Sequence, residues 1–302
     1  MLNERVAYVN GEIVPESRAT ISIHDLGFVY GDAVYDTART FGGRLFKLPE
    51  HIERLYRTLR YARIDPGLTP AQMTQKTEAL VAANLPLLGE GEDYWVTQRI
   101  SRGIARYEGD PVPYEGATVV IECVPLPLKG RAHYYRDGIP VATPAVRRIA
   151  PEALSPRAKT TNYLNMTLGD LEVKARDPKL WAVLLDHNGN LCEGIGANIF
   201  VVRDGVVMTP KEDHVLPGIS RATVLELCRD LGLPAKERDL APHDAYIADE
   251  AFLTSTSLCM CPVSSFNDVK LAPVPGPVTK RLIDAYAQLV GLDFVAQYSS
   301  RL

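Results

Sequence analysis

One predicted β-hairpin near the middle of the chain constrains the fold more than any other feature. An apolar run, Trp181–Asp186, leads into the turn sequence His187-Asn188-Gly189-Asn190, and the returning strand carries a lone acid, Glu193. Asn-Gly between apolar runs is the strongest short-range signal for a tight hairpin. A helix-like run, Asn162–Ala175, precedes the hairpin and follows Lys159. The stretch from residue 159 to residue 200 is therefore predicted to fold as helix, strand, turn and strand.

Lys159 and Glu193 are the candidate chemical groups of this stretch. The helix and the hairpin lie between them, an arrangement that could bring both side chains to one pocket. A lysine amine and a carboxylate on opposite sides of a heteroaromatic ring are what pyridoxal phosphate (PLP) requires, the amine for covalent attachment and the acid against the ring nitrogen. Solvated surface groups are the alternative interpretation, because the chain contains 33 Lys+Arg and 37 Asp+Glu.

Composition and charge exclude several classes of protein. The 302 residues are 46% hydrophobic and 23% charged, which is ordinary for a globular protein with a large core or two domains. The net charge of −4 disfavours nucleic acid as the main partner. No apolar run approaches the roughly 20 residues of a membrane span, and the first residues lack the apolar core of a signal peptide. We therefore expect a cytoplasmic protein without a membrane partner. Five scattered cysteines predict neither a disulfide framework nor a metal site.

The order of the predicted elements indicates an α/β (α+β) chain of two domains. An almost wholly apolar strand, Ala117–Pro125, is followed by a stretch with Pro127 and Gly130 that is typical of a linker. We therefore predict a small domain over residues 1–125, a linker over residues 126–136, and a larger domain over residues 137–302. Helices are predicted at Pro49–Ile64 in the first domain and Ile219–Leu231 in the second, from their apolar periodicity.

Three motifs in the second half of the chain resemble one enzyme family. They are Lys159-Thr160-Thr161-Asn162-Tyr163-Leu164, then Glu193-Gly194 with Asn198-Ile199-Phe200, then Leu216-Pro217-Gly218-Ile219-Ser220-Arg221. In order and spacing they look like the fold-type IV PLP enzymes, the class IV aminotransferases, and the resemblance extends over nearly the whole chain. It implies a small N-terminal α/β domain and a larger C-terminal pseudo-barrel domain that binds PLP. It also implies a homodimer whose active sites take residues from both subunits.

The same resemblance implies which residues bind the cofactor. Lys159 would be the catalytic residue, binding PLP and moving the proton during transamination, while Glu193 would keep the ring nitrogen protonated. Tyr163 would hydrogen-bond near the phenolic oxygen. The phosphate would be held by Arg54, Ile219, Ser220 and Thr256. A permanently charged guanidinium and the amides at a helix N-terminus both suit a phosphate.

The substrates are predicted from the residues expected around the pocket. The candidate pocket residues are Tyr30, Tyr35 and Ser257, and the candidates to bind a substrate carboxylate are Arg39, Arg102 and Arg106. Aromatic and aliphatic walls favour an apolar side chain. We therefore predict that the partners are a hydrophobic, branched-chain amino donor and a 2-oxo acid acceptor, 2-oxoglutarate.

Departures from the family patterns leave other activities open. Thr97 occupies a position at which branched-chain aminotransferases carry an arginine. Arg106-Tyr107-Glu108 lacks the histidine of the Arg-x-His pattern in D-amino-acid aminotransferases. Thr37-Ala38-Arg39 and Ile100-Ser101-Arg102-Gly103 also resemble aminodeoxychorismate lyase. The alternatives are therefore a D-amino-acid or (R)-amine transaminase, a PLP lyase that releases pyruvate, and a binding protein without activity. The presence of both Lys159 and Glu193 argues against the last.

Overall fold

The computed structural model describes residues 4–105, 116–271 and 273–302, which form two compact units. The first unit comprises Met1–Leu126 and the short segment Ala158–Asn162, and the second comprises Pro127–Arg157 and Tyr163–Leu302. The chain therefore returns once to the first unit, at Ala158–Asn162. The predicted division, with one boundary at residues 126–136, did not include this return.

An antiparallel sheet forms the frame of the first unit. Its described strands are β1 (Val6–Val9), β2 (Glu12–Pro15), β3 (Ala33–Phe41), β4 (Arg44–Leu45), β5 (Tyr94–Ser101) and β6 (Val119–Pro125). Their order across the sheet is β2-β1-β6-β5-β3-β4. A hairpin at Asn10-Gly11 connects β1 to β2, and both turn residues have positive φ, as Asn-Gly favours.

Two longer helices cover one face of this sheet, and a short helix, α1 (Leu26–Tyr30), precedes β3. The longer helices are α2 (Leu48–Ala62) and α3 (Pro70–Asn84), whose apolar residues belong to the core of the sheet. Turns of 3-10 helix lie at Glu16–Arg18 and Leu85–Leu87. Leu55 and Leu59 of α2 are buried in the same core as Val34 of β3 and Val96 of β5. Because side chains alternate along a strand, the residues between these apolar positions point to the opposite face of the sheet.

A closed, barrel-like sheet forms the frame of the second unit. Its described strands are β7 (Ile139–Ala142), β8 (Trp181–Leu185), β9 (Leu191–Gly194), β10 (Ala197–Arg203), β11 (Val206–Thr209), β12 (Ala235–Glu237), β13 (Glu250–Ser255), β14 (Cys259–Phe266) and β15 (Val269–Lys270). The order is β12-β11-β10-β13-β14-β7-β8-β9, with β15 on β14. Because β9 also pairs with β10, the path from β10 to β9 closes on itself. The predicted hairpin at Asn188-Gly189 is confirmed, and Asp204-Gly205 forms a second hairpin turn between β10 and β11.

The helices of the second unit include one in the segment predicted as a linker. They are α4 (Leu128–Asp137), α5 (Leu164–Lys174), α6 (Ile219–Asp230), α7 (Pro242–Tyr246), α8 (Pro277–Val290) and α9 (Phe294–Ser299). Most of the segment predicted as a linker, residues 126–136, is helical, because α4 begins at Leu128. Pro127 stands at the N-cap, where proline is tolerated, and α4 buries Leu128, Ala132 and Tyr135. Among the described helices, none is both long enough and apolar enough to cross a membrane.

Candidate active site

Lys159 is carried by a short extended segment that runs along β3. The amide of Tyr35 donates to the carbonyl of Lys159 at 3.0 Å, and the amide of Thr161 donates to the carbonyl of Ala33 at 3.0 Å. The amide of Lys159 in turn donates to Thr58 Oγ1 of α2 at 3.3 Å. These bonds fix the backbone on both sides of the lysine. Its Nζ lies over the ring of Tyr35, 4.5 Å from the ring centre, in a cation–π contact.

A buried ionic cluster lies between β3 and α2 in the same unit. Arg54 makes two hydrogen bonds to the carboxylate of Asp36, from Nε to Oδ2 and from Nη2 to Oδ1, each at 2.8 Å. His51 Nδ1 lies 2.7 Å from Asp36 Oδ1. All three side chains are buried. Burial alone would raise the pKa of Asp36, but Arg54 and His51 hold that pKa well below its usual range. Burial lowers the pKa of His51, although Asp36 opposes the shift.

The side-chain spacing along β3 and α2 explains why these three residues meet. Asp36 lies between Val34 and Ala38, on the face of β3 that packs into the core. His51 and Arg54 are three positions apart on α2 and so share one helix face. Burying three polar side chains requires that they satisfy one another, and the paired geometry does so.

Glu193 is the centre of a second polar group, in the second unit. Its side chain is only 6% exposed and lies on β9. Arg148 Nε donates to Glu193 Oε1 at 3.1 Å, and the amide of Leu216 donates to Oε2 at 2.9 Å. Both oxygens therefore have a donor, and the positive charge of Arg148 offsets the cost of burying an ionised carboxylate.

The same group of contacts reaches the start of α6. Asn198 lies opposite Glu193 in the β9–β10 pair, and its Nδ2 donates to the carbonyl of Leu216 at 3.0 Å. Asn198 Oδ1 fills the space beside Gly218, where a Cβ would overlap it. Gly218 is the N-cap of α6, so this packing fixes the turn that begins the helix.

Ile219 and Ser220 are the first two residues of α6, and the amides of a first helical turn have no partner within the helix. Ser220 is buried, and its Oγ lies 3.4 Å from the hydroxyl of Tyr286 on α8. Thr256 lies in the turn between β13 and β14 and is partly buried. The neighbouring Ser257 bonds to Arg131 through its hydroxyl. The carbonyl of Ser257 accepts from the hydroxyl of Tyr298 at 2.7 Å.

The remaining predicted residues lie in varied surroundings. Tyr163 is the N-cap of α5, and Tyr30 ends α1 with 75% of its surface exposed. Arg39 is buried: its Nε donates to the carbonyl of Thr40, and its guanidinium lies 4.0 Å from the ring centre of Phe41. Arg102 makes two bonds to the carboxylate of Asp32, at 2.5 and 3.0 Å, and two more to the carbonyls of Ala62 and Arg63. Arg106 lies outside the described residues.

The predicted site residues are divided between the two units. Lys159, Tyr35 and Arg54 belong to the first unit, whereas Tyr163, Glu193, Ile219, Ser220, Thr256 and Ser257 belong to the second. Sequence reasoning did not identify Asp36, His51 or Arg148 as members of these groups. Asp36 could have been identified, because it lies at the two-residue spacing of the apolar residues of β3. His51 could have been identified, because it shares a helix face with Arg54.

Comparison with known proteins decides the family. The family model described as amino-transferase class IV matches residues 33–266, which is most of the chain. This chain belongs to the class IV aminotransferases. The family and its named members make it an enzyme of the transaminase type, and the enzymes of this family depend on PLP. The closed sheet of the second unit agrees with the fold-type IV architecture.

Three similar proteins show the range of the family. A Methanocaldococcus jannaschii protein that carries the provisional name branched-chain-amino-acid aminotransferase is 34% identical over 286 residues, covering 93% of this chain and 95% of its own. The D-alanine aminotransferase of Bacillus licheniformis is 28% identical, covering 90% of this chain and 93% of its own. The crystal structure of the T.th. branched-chain amino acid aminotransferase, complexed with N-(5'-phosphopyridoxyl)-L-glutamate, has a TM-score of 0.83 and 25% identity, covering 100% of this chain and 96% of that chain.

The chemical groups of the side chains described above are those that PLP binding requires. Glu193 is a buried carboxylate with an ionic partner, as an acid facing a ring nitrogen requires. Lys159 supplies an amine, and the first turn of α6 supplies backbone amides suited to a phosphate. Within the described ranges, no group of three or more histidine, cysteine, aspartate or glutamate side chains could hold a metal ion.

Proposed function

We propose that this aminotransferase moves the amino group of a hydrophobic, branched-chain amino acid to 2-oxoglutarate. The observation that carries this choice is the 34% identity, over almost the full length of both chains, to a relative named for branched-chain amino acids. The T.th. structure supports the acceptor, because its phosphopyridoxyl group is joined to L-glutamate, the amino acid that forms from 2-oxoglutarate.

Lys159 is proposed as the residue that binds the cofactor and transfers protons. When bound, PLP supplies an electron sink that makes the α-proton of the substrate acidic enough to remove. The amine of Lys159 would accept this proton as a general base. As a general acid it would then donate the proton to the cofactor carbon C4′. The fixed backbone at Lys159 and the ring of Tyr35 limit where that amine can move.

Glu193 is proposed to hold a proton on the ring nitrogen of the cofactor. An ionised carboxylate next to a basic nitrogen favours the protonated form of that nitrogen. Arg148 and the amide of Leu216 support this role, because they hold the carboxylate in place and compensate its charge. Tyr163 is proposed to donate a hydrogen bond near the phenolic oxygen of the cofactor.

Four residues are proposed to hold the phosphate. Ile219 and Ser220 offer the amides of the first turn of α6, and Thr256 offers a hydroxyl. Arg54 is proposed to add a permanent positive charge. Its two bonds to Asp36 support this role, because a guanidinium bonded through both Nε and Nη2 to one carboxylate stays in one orientation.

The substrate side is proposed to include Tyr30, Tyr35 and Ser257 as pocket residues. Among the arginines predicted to bind the carboxylate, Arg39 is buried against Phe41 and Arg102 makes four bonds within its own unit, so either would have to exchange existing contacts. We also propose a homodimer. The exposed apolar side chains of α1, such as Phe28 at 69%, support an assembly that covers them.

A D-amino-acid aminotransferase is the second candidate. The similarity to the D-alanine enzyme of Bacillus licheniformis favours it, since that match spans 90% of this chain. A lyase that releases pyruvate is the third, and the resemblance at Thr37-Ala38-Arg39 favours that one.

A donor screen distinguishes these activities. The purified, PLP-loaded protein is incubated with 2-oxoglutarate and either L-leucine, D-leucine, D-alanine or (R)-1-phenylethylamine, and L- and D-glutamate are measured. We expect L-leucine to be the best donor. Activity confined to D-alanine or the aromatic amine would contradict the branched-chain assignment while leaving the transaminase assignment intact. Pyruvate released from aminodeoxychorismate without an added 2-oxo acid would instead indicate the lyase.

A further inference from the structure

One face of the first unit's sheet carries a row of polar side chains beside Lys159. Tyr35 and Thr37 of β3 lie opposite Arg99 and Thr97 of β5, respectively, in the antiparallel register. These positions alternate with Val34, Ala38, Val96 and Ile100, which fill the core beneath α2. Tyr35, Thr37, Thr97 and Arg99 therefore point to the face that the helices do not cover.

Two cations lie beside the ring of Tyr35, and two hydroxyls pair with each other on the same face. The guanidinium of Arg99 lies 5.5 Å from the ring centre of Tyr35, and Lys159 Nζ lies 4.5 Å from the same centre. The hydroxyls of Thr37 and Thr97 lie 3.1 Å apart. Arg99 is thus a cation on the same ring as the proposed cofactor-binding lysine.

The present partner of Arg99 is easily replaced. Arg99 Nε donates to Glu122 Oε1 of β6 at 2.9 Å, and the side chains are 50% and 29% exposed. An ion pair this exposed contributes little to stability, because water screens the charges and ordering two long side chains costs entropy. A carboxylate of a ligand can therefore take the place of Glu122 without breaking the fold.

We propose that Arg99 binds the carboxylate of the substrate, and that Glu122 occupies its guanidinium when no substrate is present. A guanidinium fits a carboxylate through two parallel N–H bonds. Arg99 lies on the same face of β5 as Thr97, opposite Tyr35, so its charge is placed beside Lys159. This assignment rests on the proposed aminotransferase function and names the residue that recognises its substrates.

Substitutions at Arg99 and at Glu122 are expected to change ligand binding in opposite directions. Arg99→Gln removes the cation and should weaken the binding of 4-methylvaleric acid and of 2-oxoglutarate to the PLP-loaded protein on the order of ten- to one-hundred-fold, the scale of a lost charged hydrogen bond. Glu122→Gln removes the competitor and should strengthen both. Arg57→Gln is the matched control, because Arg57 also forms an exposed ion pair, with Glu53, in the same unit.

Calorimetry measures these dissociation constants without turnover, so the result is independent of which donor the enzyme uses. Retained PLP absorbance shows that each variant is folded. Arg99→Lys should give an intermediate affinity, because lysine keeps the positive charge but lacks the two parallel N–H donors. The assignment is overturned if Arg99→Gln binds both ligands as tightly as Arg57→Gln does. It is also overturned if Glu122→Gln binds both ligands more weakly than the wild type. A wild type that binds both ligands but transaminates no donor would contradict the proposed function and leave the role of Arg99 intact.

Discussion

Arg148 and Glu193 form an ion pair of 3.1 Å in which the side chains are only 13% and 6% exposed. The amide of Leu216 donates to the other carboxylate oxygen at 2.9 Å. This carboxylate is therefore held at both oxygens by groups that are 45 and 23 positions away in the sequence. Its position is set by the barrel-like sheet, and its charge has a partner that is not itself assigned to the cofactor.

Replacing Glu193 should separate catalysis from cofactor binding. Glu193→Gln keeps the shape of the side chain but cannot hold a proton on the ring nitrogen through its charge. We expect the donor half-reaction to slow by on the order of 100-fold or more, the scale of losing one preorganised polar group from an active site, while PLP remains bound. Stopped-flow absorbance measures the rate. Glu152→Gln, an exposed residue with the same charge change, is the control. An unchanged rate in Glu193→Gln would refute the role given to this carboxylate.

Gly218 is expected to tolerate no side chain. A Cβ at this position overlaps Asn198 Oδ1, and moving Asn198 breaks its bond to the carbonyl of Leu216. Gly218→Ala should therefore lower the affinity for PLP by disturbing the start of α6, and should lower the melting temperature. Gly130→Ala is the matched control, because nothing lies within 4 Å of its Cβ and alanine is favoured inside α4. If both variants bind PLP like the wild type, the start of α6 does not hold the phosphate.

The sequence predicted the regular elements well, because their signals are local. The hairpins at Asn10-Gly11 and Asp204-Gly205 each have a turn residue that accepts positive φ, and α2 shows its apolar stripe directly. The helix α4 was missed because Pro127 and Gly130 indicate a linker, whereas in the structure proline precedes the first turn and the glycine is tolerated within it.

The partners of the candidate site residues were harder to predict. Arg148 lies in a stretch without regular secondary structure after β7, and nothing near it in sequence indicates that it pairs with Glu193. The return of Ala158–Asn162 to the first unit also depends on pairing with β3, more than 100 residues earlier in the chain, for which a single sequence gives no register. Local patterns predict elements, whereas these contacts depend on how the elements pack.

The buried cluster of Asp36, His51 and Arg54 predicts a dependence of stability on pH. The pKa of His51 is lowered by burial, so the unfolded chain binds a proton more readily than the folded protein. Its contribution to the free energy of unfolding is therefore complete above the ordinary histidine pKa of 6.5 and declines as the pH falls below that value. The pKa of Asp36 is also lowered, so a second loss begins below its ordinary value of 3.8.

Denaturant unfolding from pH 8 to pH 4 measures this effect. We expect the free energy of unfolding of the wild type to fall below pH 6.5, with His51 contributing up to about 1.4 kcal/mol per pH unit. His51→Gln cannot titrate and should show a smaller slope in this range. His24→Gln, at an exposed histidine, should keep the slope of the wild type. Equal slopes in all three proteins would show that His51 does not titrate differently on folding.

The attachment of the cofactor to Lys159 is the central claim, and chemical trapping tests it most directly. The PLP-loaded protein is reduced with borohydride, digested, and mapped by mass spectrometry. We predict that the reduced cofactor is found on Lys159, that Lys159→Ala loses the visible absorbance and all turnover, and that Lys179→Ala, at an exposed lysine, keeps both. Finding the cofactor on a different lysine, or full activity in Lys159→Ala, would contradict the account.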